Sequence, residues 1–425
     1  MSHPVKRLLT FGVVLALGLL AFQKLYEPYT TLKMNQQGIT QVKLDLDQII
    51  KQEKANGADP KEKIKILDEQ GKLKFNGWSS NIGDKFEVNY QDATTPFFSK
   101  DYSYMKYRSW NFVMLYLPTV IVQIPISNFW PACVTSVQVY PRDNPKTMIQ
   151  NRKVQEFFPL LCPNISLDST EWSNKTKIQS GDFIVEVLKD PKREGILVMN
   201  INAPAIQFKA KLDLQDSQVD DQFYLMPVTD NKQLYFANKK KFGIPTLGDY
   251  EYQGKKYHCG QKQDGSDKCL SLYDNGRAHF KYHTNWYWAS FTAYLPKLQK
   301  TVSINMGDGI GIDFNPLDGE KFYEDFITID GKLFKLDQTA IDFQESDFTK
   351  THAFKTVSSS KVFPERSCDL KFQPVGTAKD GVHLIVFGVI QHLVYGMWSG
   401  TCLIDGQNVT FDNVIGTVEH IRARW

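Results

Sequence analysis

The sequence carries almost no surplus of charge. Fifty Lys plus Arg stand against 47 Asp plus Glu in 425 residues, a net of +3, so the basic face that nucleic-acid binding needs is missing and nucleic acid is excluded as a partner class. Signatures of known chemistry are missing too: there is no P-loop, no H-E-x-x-H, no EF-hand loop and no G-x-S-x-G elbow, since GMWSG at Gly396 to Gly400 sets its Ser one place late. GDGIG at Gly307 to Gly311 brings its third Gly one residue early for a dinucleotide turn. No cofactor is therefore expected. Nine residues separate Cys259 from Cys269, far more than a compact zinc site uses, and no metal is expected there even with His279 and His283 read as sharing one strand face. Fixed-period repeats and low-complexity tracts are absent, and helical periodicity is scarce beyond Gly57.

Aromatic residues, by contrast, are plentiful: 28 Phe, 19 Tyr and 8 Trp, types that favour a pleated, half-buried surface. The N-terminus places Lys6 and Arg7 before fifteen residues, Leu8 to Phe22, with no charge. That length falls between a signal peptide and a membrane-crossing helix of about 20 residues, and the bulky Leu19 and Leu20 argue against cleavage. The expectation is an uncleaved, single-pass anchor, with a cleaved signal as the alternative. Lys6 and Arg7 would remain cytosolic and the body would lie on the other side, in the secretory lumen or at the cell surface, or in an organelle. Six cysteines fit that compartment, and sequence neighbours suggest Cys133 with Cys162, Cys259 with Cys269, and Cys368 with Cys402 as disulfide candidates among 15 possible connectivities. Three sequons, at Asn164, Asn174 and Asn408, are candidate glycosylation sites.

One short helix is predicted from Val42 to Ala55, stopped by Asn56 and Gly57, within a polar segment read either as a stalk or as a helix docked on the body. Period-2 stretches follow at Thr119 to Ser127, Val134 to Tyr140 and Ala205 to Leu214, the last with the cleanest division into a dry and a wet face. Asn275-Gly276, Asp330-Gly331 and Asp405-Gly406 read as hairpin turns. The pattern is mainly β, an antiparallel meander of the kind that builds sandwiches or up-and-down barrels. The implied divisions are 1–24 (anchor or signal), 25–70 (polar segment with the short helix), 71–215 and 216–425 (two β halves). The densest cluster of polar and aromatic groups is DNGRAHFKYHTNWYWAS, Asp274 to Ser290, in which Trp286 and Trp288 would share one strand face. Asp274 and Arg277 read there as a pair closing one end of a core.

Several blocks in order resemble the family catalogued as domain of unknown function 2804: KYRSWNFVMLYLPTVIVQIPISNFWPACVTSVQVY from Lys106, DNGRAHFKYHTNWYWAS, VSINMGDGIG, YEDFITIDGKLFKL and YGMWSGTCLIDGQNVTFDNVIGTVEHIRARW. The resemblance runs from about Gly71 to Trp425. It departs at Asp325, where Asn is expected after Glu324. The N-terminal apolar helix and the polar segment lie outside the family pattern; for the rest the resemblance implies two tandem calycin- or lipocalin-like β-barrels, a type that includes a carotenoid hydratase and lipid-binding proteins. Three functions compete. The first is a membrane-anchored barrel protein that binds an apolar ligand, a lipid or isoprenoid, in a cavity walled by Trp110, Trp286 and Trp288 with Arg277 and Tyr282 nearby. The second is a cavity-free structural subunit or scaffold of a membrane complex. The third is a hydratase or isomerase with Asp274 or Glu324 as general acid. An enzyme is the less favoured class.

Overall fold

The computed structural model describes residues 43–424 except 58, 60–61, 82–84, 94–105, 130–131, 145, 147–148, 158–164, 167–174, 191, 193–194, 215, 217, 229–231, 261–266, 309–323, 343–346, 357–361 and 384–386. The apolar segment 8–22, Cys162, Asn164 and Asn174 lie outside the described residues. Among the described residues no helix is long and apolar enough to cross a membrane.

The predicted helix forms over Leu46–Ala55. It starts later than the periodicity suggests because the Asp45 side chain accepts a hydrogen bond from the Gln48 amide, and it ends where Gly57 takes φ 88°. Ile49 is its buried residue, and it packs with Leu44, Ile66, Phe86 and Phe223 in one cluster. Through this cluster the helix packs against the first sheet.

The body consists of two curled antiparallel sheets. Among the described residues the first holds 14 strands, with Ile149–Phe157, Ala132–Pro141, Val120–Phe129, Tyr107–Tyr116, Leu270–His279, Tyr235–Tyr252, Ile206–Asp213 and Ile196–Ala203 adjacent in that order. The second has nine among the described residues, with Lys332–Lys335, Phe326–Ile329, Lys300–Asp308, His283–Leu295, Gln407–Arg424, Gly388–Ile404 and Arg366–His383 in order. The architecture is mainly β and consistent with tandem barrels. Strands from both sides of residues 215 and 216 share the first sheet, and the chain passes to the second sheet between His279 and His283. These two histidines therefore sit on different strands in different sheets, so the expected shared face does not form.

Each sheet encloses its own core. Val113, Val122, Ile124, Leu197 and Leu212 pack inside the first, and Phe291, Ile304, Phe372, Trp398 and Val418 inside the second. A third apolar layer lies between them, where Phe112, Met114, Ile121, Phe242 and Leu272 of the first sheet meet Trp288, Phe326, Leu393, Tyr395 and Ile415 of the second. Sequence pattern follows from this layering. Ile206–Asp213 alternates buried and exposed at nearly every position because one face meets water. Tyr107–Tyr116 and Val120–Phe129 are buried on both faces, one in the barrel core and one between the sheets, so their alternation of polarity is weak.

Two of the three expected turns form. Asp330-Gly331 and Asp405-Gly406 take positive φ at both residues, and each joins strands paired directly across a two-residue loop. Asn275-Gly276 does not turn. It lies within Leu270–His279, paired to Asn111 and Trp110. Cys259–Cys269 and Cys368–Cys402 are disulfide-bonded as their spacing suggested, and Cys133 is disulfide-bonded as well. Asn408 is exposed on the Gln407–Arg424 strand.

Candidate functional site

Beside the apolar layer, the two sheets separate and leave a partly open cavity of about 160 Å³. Strand parity decides what faces it. Alternate positions contribute from each strand: Trp110 and Phe112; Ser127 and Phe129; Val134, Ser136 and Gln138; Phe236, Asn238 and Lys240; Trp286 and Trp288; Val389 and Gln391; Glu419 and Ile421. Asp274, Glu324 and Asp380 complete the polar lining.

The walls are aromatic. Trp110 stacks on Phe236 with ring centres 5.7 Å apart, Phe112 meets Trp288 edge to face at 5.4 Å, and Phe280 bridges Trp110 and Trp286. Gly276 explains how Trp110 lies so close to the sheet: a Cβ there would fall 2.0 Å from the Trp110 ring. Gly276→Ala is expected to lift the indole off the strand and cost about 1–3 kcal/mol by overpacking. Urea unfolding would measure the cost, and a change in tryptophan emission would report the displaced ring. Unchanged emission would show that Trp110 has another way to sit.

The base of the cavity is a buried ion cluster. Lys240 Nζ lies 3.0 Å from Asp274 Oδ2, 2.8 Å from Glu324 Oε2 and 3.0 Å from Asn305 Oδ1, with 3% of its side chain exposed. Burial alone would lower the Lys240 pKa, but the carboxylates of Asp274 and Glu324 outweigh it and leave the pKa above its ordinary value. Asp274 Oδ1 also accepts from Asn238 Nδ2 at 2.8 Å and from Trp110 Nε1 at 3.3 Å. Trp288 Nε1 donates to Asn305 Oδ1 at 2.8 Å. Apart from this cluster stands Glu419, whose two oxygens accept from Trp286 Nε1 at 3.1 Å and Gln391 Nε2 at 2.6 Å. Burial pushes Glu419 up to about 7; those two hydrogen bonds oppose the rise and the charge of Asp274 reinforces it.

The structure thus brings Trp110, Asp274, Trp286, Trp288 and Glu324 together as the sequence suggested, and it leaves out Arg277 and Tyr282. Arg277 is three residues from Asp274 on one strand, so the two side chains leave opposite faces of the sheet. Arg277 Nη1 donates instead to the carbonyls of Trp110 and Gly276 and to Asn111 Oδ1, while Asp274 pairs with Lys240. Tyr282 stacks edge to face on His283 in the passage between sheets. Asp325, the departure from the family pattern, is also turned away: its carboxylate accepts from the backbone amides of Gly307 and Thr339. The expected general acids, Asp274 and Glu324, are both held on the ammonium, and Glu419 is the cavity acid whose affinity for a proton is raised.

Sequence reasoning missed Lys240, Asn238, Gln391 and Glu419. The only signal for Lys240 is the triplet Lys239-Lys240-Lys241 between Asn238 and Phe242, which reads as a solvated charge run. All three are buried. Lys240 points between the sheets, while Lys239 faces Asp221 at 3.4 Å and Lys241 donates to the Leu214 and Asp216 carbonyls.

A tandem β-barrel protein with an aromatic, acid-lined cavity between its sheets is the class that fold and site define. The chain belongs to the family of domain of unknown function 2804, whose profile matches residues 58–425. No curated protein matches the sequence. Among solved structures, a protein described as AttH from Nitrosomonas europaea is 12% identical, with 79% of this chain and 96% of that one covered and a TM-score of 0.38. CghA, in its structure with Sch210972, is 7% identical, with 75% and 88% covered and a TM-score of 0.42. At such scores neither likeness bears on what this chain binds.

Proposed function

We propose that this is a ligand-binding protein whose cavity between the sheets takes an amphiphile, a molecule with an apolar body such as a lipid or isoprenoid and one polar end. The observation that carries this reading is the cavity itself, walled by Trp110, Phe112, Phe236, Trp286 and Trp288, with its polar groups gathered at Lys240, Asp274, Glu324 and Glu419. A packed module serving only as a scaffold has no use for such a space, which favours binding over the subunit reading. Residues 8–22 anchor the body to a membrane on its non-cytosolic side in this proposal, in keeping with the disulfides Cys259–Cys269 and Cys368–Cys402. The test is native mass spectrometry of the full chain, purified from its own membranes in mild detergent. A stoichiometric apolar molecule, retained by the protein and lost in Trp286→Ala, is expected. A chain that emerges empty, or that carries the same molecules after Trp286→Ala, would overturn the proposal.

A further inference from the structure

Donors and acceptors in this cavity are unequally committed, and the imbalance defines the ligand's polar end. The Lys240 ammonium is held by the carboxylates of Asp274 and Glu324 and donates to Asn305. The indole N–H groups of Trp110, Trp286 and Trp288 are spent on Asp274, Glu419 and Asn305. Among the described residues an anionic head would therefore meet no uncommitted lining cation, because Lys240 is already shared by two carboxylates. Acceptors remain. Asn238 lines the cavity and is buried, and its Oδ1 has no hydrogen-bond partner among the described residues. Among the described residues, the acids Asp274, Glu324 and Glu419 line the space, with Lys240 as the base between two of them. The walls around them are indole and phenyl faces, whose negative π clouds attract cations and repel anions.

Resting on the ligand-binding reading above, we infer that the polar end of the ligand is a protonated amine, so that the cavity selects apolar ammonium compounds over alcohols and carboxylates of the same chain. The ammonium would lie among Trp110, Trp286 and Glu419, with an N–H directed to Asn238 Oδ1, and the alkyl body would follow the aromatic walls. Ionised Glu419 faces Asp274, Glu324 and Lys240 in the cavity lining, while the lining residues of the strands beside it, Trp286, Trp288 and Gln391, are uncharged. The ammonium supplies Glu419 with a counter-charge, since among the described lining residues the Lys240 ammonium is held by Asp274 and Glu324.

The test uses three probes that differ only in the head: dodecylammonium, dodecanol and dodecanoate, each below its micelle concentration at neutral pH. Binding to the full chain in mild detergent is followed by tryptophan emission and by calorimetry. Dodecylammonium should bind at least about tenfold more tightly than dodecanol, on the scale of one desolvated cation–π contact with a counter-ion, and dodecanoate more weakly than either. Equal affinity for amine and alcohol, or tightest binding of the carboxylate, would overturn the ammonium assignment and leave the amphiphile reading standing. If none of the three binds, the amphiphile reading falls with it.

Discussion

Lys240→Met is expected to destabilise the protein by about 3–5 kcal/mol, the cost of leaving buried charges without their partner. The Lys240 ammonium stands between Asp274 and Glu324, and both carboxylates lie in the gap between the sheets, 8% and 13% exposed. With a methionine there, two like charges face each other in a poorly solvated space, and Asn305 loses one of its two donors. The side chain's volume is nearly kept, so packing contributes little to the loss. Asp274→Asn with Glu324→Gln added to Lys240→Met should restore most of the stability, because the three polar groups then need no counter-charge. Urea unfolding of the four combinations, read as a double-mutant cycle with the two acids changed together, isolates the coupling. A cost for Lys240→Met below about 1 kcal/mol would mean that the cluster is wet enough to behave as a surface ion pair.

How far the sequence discloses this arrangement depends on how many layers each strand touches. Ile206–Asp213 meets a core on one face and water on the other, and its alternation can be read directly. Trp286 and Trp288 are two apart on a strand, which is enough to place them on one face whatever that face meets. Failures come where both faces are buried. Lys239, Lys240 and Lys241 look like a solvated run because single-sequence reasoning puts charge outside, whereas alternate lysines here enter the first barrel and the gap between the sheets, each with its own acceptors. Asp274 and Arg277 look like a pair because they are close in sequence and opposite in charge, yet an odd separation on a strand sends them to opposite faces. Asn275-Gly276 carries the turn signature, but the glycine is present to admit the Trp110 ring, a long-range demand that no local pattern records. Glu419 and Gln391 are legible only after the Gln407–Arg424 and Gly388–Ile404 strands are known to be neighbours, since their hydrogen bond crosses between strands.

Glu419→Gln is the second substitution with a large expected effect, and its sign depends on pH. The folded protein holds this carboxyl at about 7, against an ordinary value of 4.5. A folded pKa above the unfolded one means that the native state binds the extra proton between those values, so stability is fully present below about pH 4.5 and is lost as pH rises through about 7. The loss approaches about 3 kcal/mol, at 1.36 kcal/mol for each pKa unit. Buried His279 and His420, both lowered to about 3 chiefly by burial, act in the opposite sense, because they lose stability as pH falls from the ordinary histidine value of 6.5. The raw pH profile therefore mixes both trends, and the informative quantity is the difference between Glu419→Gln and the parent chain. That difference should grow in favour of the variant from about pH 4.5 and level off above about pH 7, where the parent alone holds an ionised carboxylate in the cavity. A difference independent of pH would show that Glu419 titrates normally and that the gap between the sheets is well hydrated. A bound ammonium reverses the balance, since it favours the ionised Glu419: with saturating dodecylammonium the deficit of the parent relative to Glu419→Gln above about pH 7 should disappear, while dodecanol should leave it in place. The same linkage requires amine binding to tighten as pH rises through about 7 and to release a proton as it does so, a release that calorimetry in buffers of different ionisation enthalpy would register directly.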